Sequence, residues 1–159
     1  MSVFNDQQLL AVLDALESHA KRLGEFERVN FHEPKNSPGS GVTVALWVQR
    51  IRSAAGQSGL DKTTARIEFN IRLYTSMVAD PQDAIDPTLL RLTLLLMGKY
   101  SGDFTLDGLV RNVVLMDGMT GPGLSSEAGY VPIDNKMFRV MTISLPLIVN
   151  DMWLQESGS

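Results

Sequence analysis

The chain holds two histidines, His19 and His32, and no cysteine. Composition therefore excludes thiol catalysis, disulfides and zinc ribbons. His32-Glu33 opens as the zinc-protease pattern H-E-x-x-H does, but position 36 is Asn36, so the second imidazole is missing. Asp80, Asp83 and Asp86 lie close together. A calcium loop needs alternating oxygen ligands, a glycine at its bend and a closing bidentate Glu, whereas this segment carries Pro81 and Pro87 and no such glycine. Turn and helix-capping duty accounts for these aspartates. Gly118, Gly121, Pro122 and Gly123 form a glycine-rich run with no Gly-Lys-Ser/Thr ending, so no phosphate cradle is expected there. Ser40 sits between Gly39 and Gly41 without the spacing of a nucleophile elbow. The residues thus predict no enzyme, no cofactor and no metal site.

The elements that would position any other kind of site are clearer. Residues 5–24 read as a helix, with Leu9, Val12, Leu13, Leu16, Ala20 and Leu23 on one apolar stripe. Asn5 can cap it, Phe4 can staple onto Leu9, Glu17 and Lys21 form an i,i+4 pair, and Gly24 supplies the stop. Residues 26–31 make a short strand. Residues 42–51 make a longer one, with Val42, Val44, Leu46 and Val48 on one face and Ala45, Trp47 and Ile51 on the other. A second helix is expected to open at an Asp86 cap with Pro87 in its first position and to end by Gly102. Leu89, Leu90, Leu92, Leu94, Leu95, Leu96 and Met97 make it apolar on most sides, which suits burial in a domain or between subunits. Residues 109–116 read as a strand, and residues 129–133 and 137–149 as a hairpin turning at Asp134-Asn135.

The clearest strand is 63–77. Ala65, Ile67, Phe69, Ile71 and Leu73 point one way, and Arg66, Glu68, Asn70, Arg72 and Tyr74 the other. Thirteen residues at about 3.3 Å each span about 43 Å, against a radius of gyration of about 15 Å for a domain of this size. Such a strand must bend, bulge or project. Its polar row of Arg66, Glu68, Asn70 and Arg72 is either solvated sheet surface or a subunit contact or channel wall.

The order α-β-β-β-α-β-β-β predicts a single α+β domain over residues 1–154, with a mostly antiparallel or mixed sheet and two main helices packed on it. Residues 155–159 read as a frayed tail or an expression remnant. Three loops rich in Gly, Ser and Pro, at 33–41, 53–62 and 117–127, are candidate assembly loops, with Asn36, Gly39, Gly41, Gly118, Gly121 and Gly123 as their hinges. A chain with 14 basic and 18 acidic residues, net charge −4, is ill suited to gripping DNA, although an acidic surface could line a channel through which DNA slides. Residues 1–6 lack the basic and apolar regions of a signal peptide, and the longest apolar run, residues 94–97, is far short of a membrane span.

Several segments together resemble the tail terminator (tail completion) family of long-tailed, non-contractile phages of the lambda type. They are the N-terminal helix ending in Gly24, the strand over residues 65–74 (ARIEFNIRLY) and the leucine-rich helix opening Asp86-Pro87-Thr88-Leu89-Leu90. To these are added residues 100–108 (YSGDFTLDG), followed by Val110, Arg111, Asn112 and Val113, and the closing strand 138–151. The likeness runs from about residue 5 to 153. It implies a structural virion protein, assembled in the host cytoplasm, that forms a hexameric ring at the head-proximal end of the tail. Such a ring caps the tail tube and offers the head-joining surface. Its partners would be its own copies, the tail-tube protein and a head-completion or connector protein, with DNA only passing through the channel and no membrane. No catalytic residues are inherited. The alternatives are a tail-tube or head–tail connector subunit and, from a different class, a small-molecule-binding α+β module or enzyme.

Overall fold

A computed structural model describes residues 6–32, 34, 41–53, 62–77, 82–103, 105–106, 108–116, 118 and 121–154. Asn5, Phe4, Glu33, Asn36, Gly39, Ser40, Asp80, most of the 53–62 loop and the 155–159 tail lie outside those residues. Helix α1 is Asp6–Leu23, followed by strands β1 (Arg28–Asn30), β2 (Thr43–Ser53) and β3 (Lys62–Ser76). After a single 3-10 turn at Gln82–Ala84 come helix α2 (Ile85–Gly102) and strands β4 (Asn112–Val113), β5 (Ser125–Ile133) and β6 (Lys136–Leu154). The fold is α+β, in the predicted element order.

The sheet order is β1-β2-β3-β6, with β6 long enough to pair β5 along its first half and β4 along its second. Every pairing is antiparallel except β1 with β2. Pro146 falls between Ser144, the last β6 partner of β5, and Leu147, the first facing β4. A residue with no N–H is tolerated where one partner strand stops and another starts. Asp134 and Asn135 turn the β5–β6 hairpin with φ of 53° and 61°, the pair of positive values a two-residue turn needs.

Alternation along β3 separates two layers. Ala65, Ile67, Phe69, Ile71 and Leu73 are buried with Ile143, Leu145, Leu147 and Val149 of β6. Val12, Leu16 and Ala20 of α1 and Leu89, Leu92, Leu96 and Tyr100 of α2 cover them. The opposite face holds a smaller core of Ala45, Tyr74, Ile133, Phe138 and Val140. Side chains of β2, β3, β6 and β5 line one common cleft there, so the sheet curls with this face concave. β3 does not project. It is paired on both sides along its length, and an irregularity between Thr63 and Ala65 together with the curl absorbs the excess reach.

Four local readings change. Register shifts between Val48 and Arg50, so Gln49 is an extra residue that puts Ile51 opposite Ile67 on the helix side, not with Ala45 and Trp47. α2 begins at Ile85 with Ala84 at its N-cap and no side-chain cap, so Asp86 is not the cap and Pro87 is not the first residue. The Asp86 carboxylate is taken instead by Arg139, at 2.9 and 3.2 Å. The strand expected over 109–116 shrinks to Asn112–Val113. Tight turns at Leu106 (φ 48°) and Gly108 (φ 82°) hold the N–H of Leu109 and of Val110 in local hydrogen bonds to Leu106 and Thr105. The last hairpin is longer than expected, because β5 starts at Ser125. The Glu17–Lys21 pair forms at 2.9 Å, and Gly24 closes α1 with φ 66°.

Candidate functional site

The bulge at Gln49 places Arg50 opposite Glu68 and Arg52 opposite Arg66 on the concave face, which already carries Asn70 and Arg72. A polar row on one strand thereby becomes a two-strand field centred on Glu68. Arg66 is 1% exposed, and its Nε donates to Glu68 Oε1 at 2.9 Å. Arg52 Nη2 donates to the same oxygen at 3.3 Å, and Arg50 Nε lies 3.9 Å from Oε2. A guanidinium removed from water is costly unless its donors are met and its charge is balanced. Here Glu68 supplies the charge, and the carbonyl of Pro122 accepts from Arg66 Nη2.

That carbonyl explains the glycine-rich run. Gly121 (φ 127°) lies directly on the arginines, and a Cβ there would collide with Arg52 Nη2. At Gly123 a Cβ would stand 2.6 Å from the backbone of Met116. Gly118 and Gly121 hydrogen-bond each other at 3.0 and 3.1 Å, and the Leu124 N–H reaches the Val114 carbonyl at 2.7 Å. The glycines are therefore the means by which this loop closes over Arg66 and Arg52. Gly41, at the entry to β2, donates its N–H to Glu27 Oε2 at 2.6 Å.

Further along the concave face, Arg72 Nε donates to Thr142 Oγ1 at 2.7 Å, and its guanidinium lies 5.3 Å from the Trp47 ring and 6.0 Å from that of Tyr74. Asn70 and Arg72 share a cleft with Gln49, Glu127, Thr142 and Ser144. The neighbouring cleft over Arg50, Arg52, Arg66 and Glu68 has a volume of about 340 Å³. The face bears four arginines, 50, 52, 66 and 72, against Glu68 and Glu127. On a chain of net charge −4, this face is locally cationic. A wall built from it is not the acidic lining expected from composition. Guanidinium groups only donate hydrogen bonds, so what the four arginines present to the cleft is a set of donors.

The two histidines go elsewhere. His19 Nε2 lies 2.8 Å from Asp103 Oδ2 and edge-on to Tyr100, linking α1 to the end of α2. Burial holds the Tyr100 phenol well above its ordinary pKa, and it donates to the Leu16 carbonyl at 3.0 Å. His32 is exposed. No three His, Asp or Glu gather as a metal set among the described residues. No described helix is long and apolar enough to cross a membrane.

No family profile matches the chain, and no curated protein matches it. Among solved structures, one superposes with a TM-score of 0.51 at 14% identity, covering 98% of this chain and 99% of its own. A second is the sheath/tube terminator of an extracellular contractile injection system, PVC, in its extended state. It gives a TM-score of 0.48 at 10% identity, and this chain spans 61% of it. The first likeness is one of fold alone, and the second, weaker still, carries no weight for function.

Of the predicted site residues, Arg66, Glu68, Asn70 and Arg72 share one face, and Gly121 and Gly123 pack against Arg52, Arg66 and the 115–116 backbone. Gly118 is tied to that cluster through its hydrogen bonds to Gly121, Gly41 is held by Glu27 instead, and Asn36 and Gly39 fall outside the described residues. Sequence reading missed Arg50 and Arg52, because strict alternation across Gln49 assigns them wrongly. It also missed Arg139, whose guanidinium grips Asp86, sits 4.5 Å from the Tyr130 ring and donates to the Gly129 carbonyl at 3.2 Å. An arginine flanked by Phe138 and Val140 in an apolar strand was the available signal.

Proposed function

We propose that the chain is a structural subunit of a phage tail, a ring-forming protein that caps the finished tube and presents the surface to which the head is joined. It works without covalent chemistry, cofactor or membrane. Its partners are its own copies, six to a ring as the resemblance implies, together with the tail-tube protein and a head-completion protein. DNA passes through the centre only.

The observation that carries this reading is the outer side of α2. Leu90, Leu94 and Leu95 are 51%, 58% and 42% exposed on a helix whose other side is already committed to the core. Burying a leucine side chain stabilises by about 1.5–3 kcal/mol, so three on one exposed helix face favour assembly over a lone subunit. The likeness in segment order supplies the tail. Stacked rings present an open end that keeps recruiting rings, because a non-closing contact propagates. Termination needs a subunit that matches that end on one side and differs on the other.

Deleting the gene from its phage should give overlong or irregular tails without heads, while capsids still fill. Purified protein should restore joining to unfinished tails. Tails of normal length that join heads would overturn the assignment, and loss of all tube would replace it with the tail-tube reading. Leu94→Gln should leave the subunit folded and abolish its assembly in native mass spectrometry.

A further inference from the structure

We infer that copies of this chain join edge to edge, the outer edge of β5 in one copy pairing antiparallel with residues 46–53 of β2 in the next. The inference rests on the ring reading above and says how the ring is sewn. Among the described residues, β1 covers β2 only at Thr43–Ala45, so residues 46–53 have no strand on their outer side. β5 pairs β6 along its whole length and has no described strand beyond it. Each edge is long enough for a ladder of several residues, and the two terminate opposite sides of the same sheet.

Three features choose a second copy as the occupant. The first is direction. β2, β3, β6 and β5 alternate up and down, so rotating the subunit about an axis along the strands brings the next β2 beside β5 in the opposite sense. Antiparallel alternation then continues across the junction. The second is charge. The β2 edge carries Arg50 and Arg52 and the β5 edge carries Glu127, all on the concave face. Exposed edges are commonly defended by charge against self-pairing. Here opposite signs on the two edges discourage β2 with β2 while favouring β2 with β5. The third is register. Setting Glu127 opposite Arg50 puts Ser125 opposite Arg52 and Ser126 opposite Ile51. Once the bulged Gln49 is skipped, Ala128 meets Val48 and Tyr130 meets Leu46, so each pair shares a face. Pro132 lies beyond the junction. Val48 and Ile51, exposed in the lone subunit, gain neighbours, and the curl of the sheet carries the arginine face to the inside.

The native chain has no cysteine, so a designed pair reports unambiguously. A subunit carrying both Ile51→Cys and Ser126→Cys, each at an exposed position, should give on oxidation of assembled protein a ladder of covalent multimers that ends at the ring. Either single variant should give none beyond dimer. Glu127→Arg should raise the concentration needed for assembly about tenfold or more, since like charges face each other across a junction, and Arg50→Glu added to it should restore assembly. Rings that form in the double-cysteine protein without a ladder, and that tolerate Glu127→Arg, would overturn edge pairing and leave the ring reading standing. A subunit that never assembles, even on tail tubes, would overturn both.

Discussion

On the helix side of β3, Phe69 is fully buried among aliphatic side chains of both helices and β6. Three residues earlier in the chain, on the concave side, Arg66 is just as buried, but among groups that must each be hydrogen-bonded. The first environment is non-directional and scales with apolar area. The second is directional, and its members depend on one another: Arg66 requires Glu68 and the Pro122 carbonyl, and that carbonyl is in place only because Gly121 and Gly123 let the loop lie flat. A core of the first kind tolerates hydrophobic exchange, whereas one of the second kind fails when any single member is lost.

The largest expected effect is on the apolar side. Phe69→Ala should cost about 3–5 kcal/mol, the range for truncating a buried aromatic residue, read as a lowered denaturant midpoint. Phe69→Leu should recover most of it. On the concave side Glu68→Ala should cost about 3 kcal/mol, because it leaves the Arg66 guanidinium buried and uncompensated. The double variant Arg66→Met, Glu68→Leu should be more stable than Glu68→Ala alone, since an apolar pair removes the charge that needed an answer. If Glu68→Ala were neutral, the two faces would not differ in the way described, and Arg66 would be answered wholly by the loop. Gly123→Ala should cost about 1–3 kcal/mol, because the added methyl meets the 115–116 backbone, which cannot turn aside as a side chain can. A neutral result would show the loop free to lift from the arginines.

The same contrast governs what could be read from sequence. Period-two alternation in residues 65–74 gives the buried row on β3 correctly, because apolar burial needs only the right residue types on one face. The i,i+3/i+4 spacing of Val12, Leu16 and Ala20 gives the buried stripe of α1 for the same reason. The arginine cluster was half legible. Arg66, Glu68 and Arg72 fall on one face by alternation alone, but Arg50 and Arg52 join them only through one extra residue at Gln49, and no residue type marks a bulge there. Nor does sequence reveal that Arg66 is buried, since that depends on a loop 56 residues away closing over it through Pro122. Asp86 was misread because a capping position and an ion-pair position look alike until the partner, far along the chain at Arg139, is known.

Asp86 and Arg139 give the gentlest test, because they make the same Arg–carboxylate chemistry as Arg66 and Glu68 but at the surface. The Arg139 hydrogen bonds and charge hold the Asp86 carboxyl below its ordinary value of 3.8 and raise the guanidinium further. A group whose folded pKa is depressed contributes its stability in full above the unfolded pKa, and loses it as pH falls through the folded one. The contribution of this pair should therefore be constant at neutral pH and fade only below about pH 4. Asp86→Asn should flatten that acid limb of the stability curve and change little at pH 7, where exposed pairs stabilise weakly. Added salt should shrink even that difference, while leaving the cost of Glu68→Ala almost unmoved, because screening reaches exposed charges far more than buried ones. Equal salt sensitivity for the two substitutions would mean that water reaches Arg66 as freely as it reaches Asp86, and the contrast between the faces would lose its physical basis.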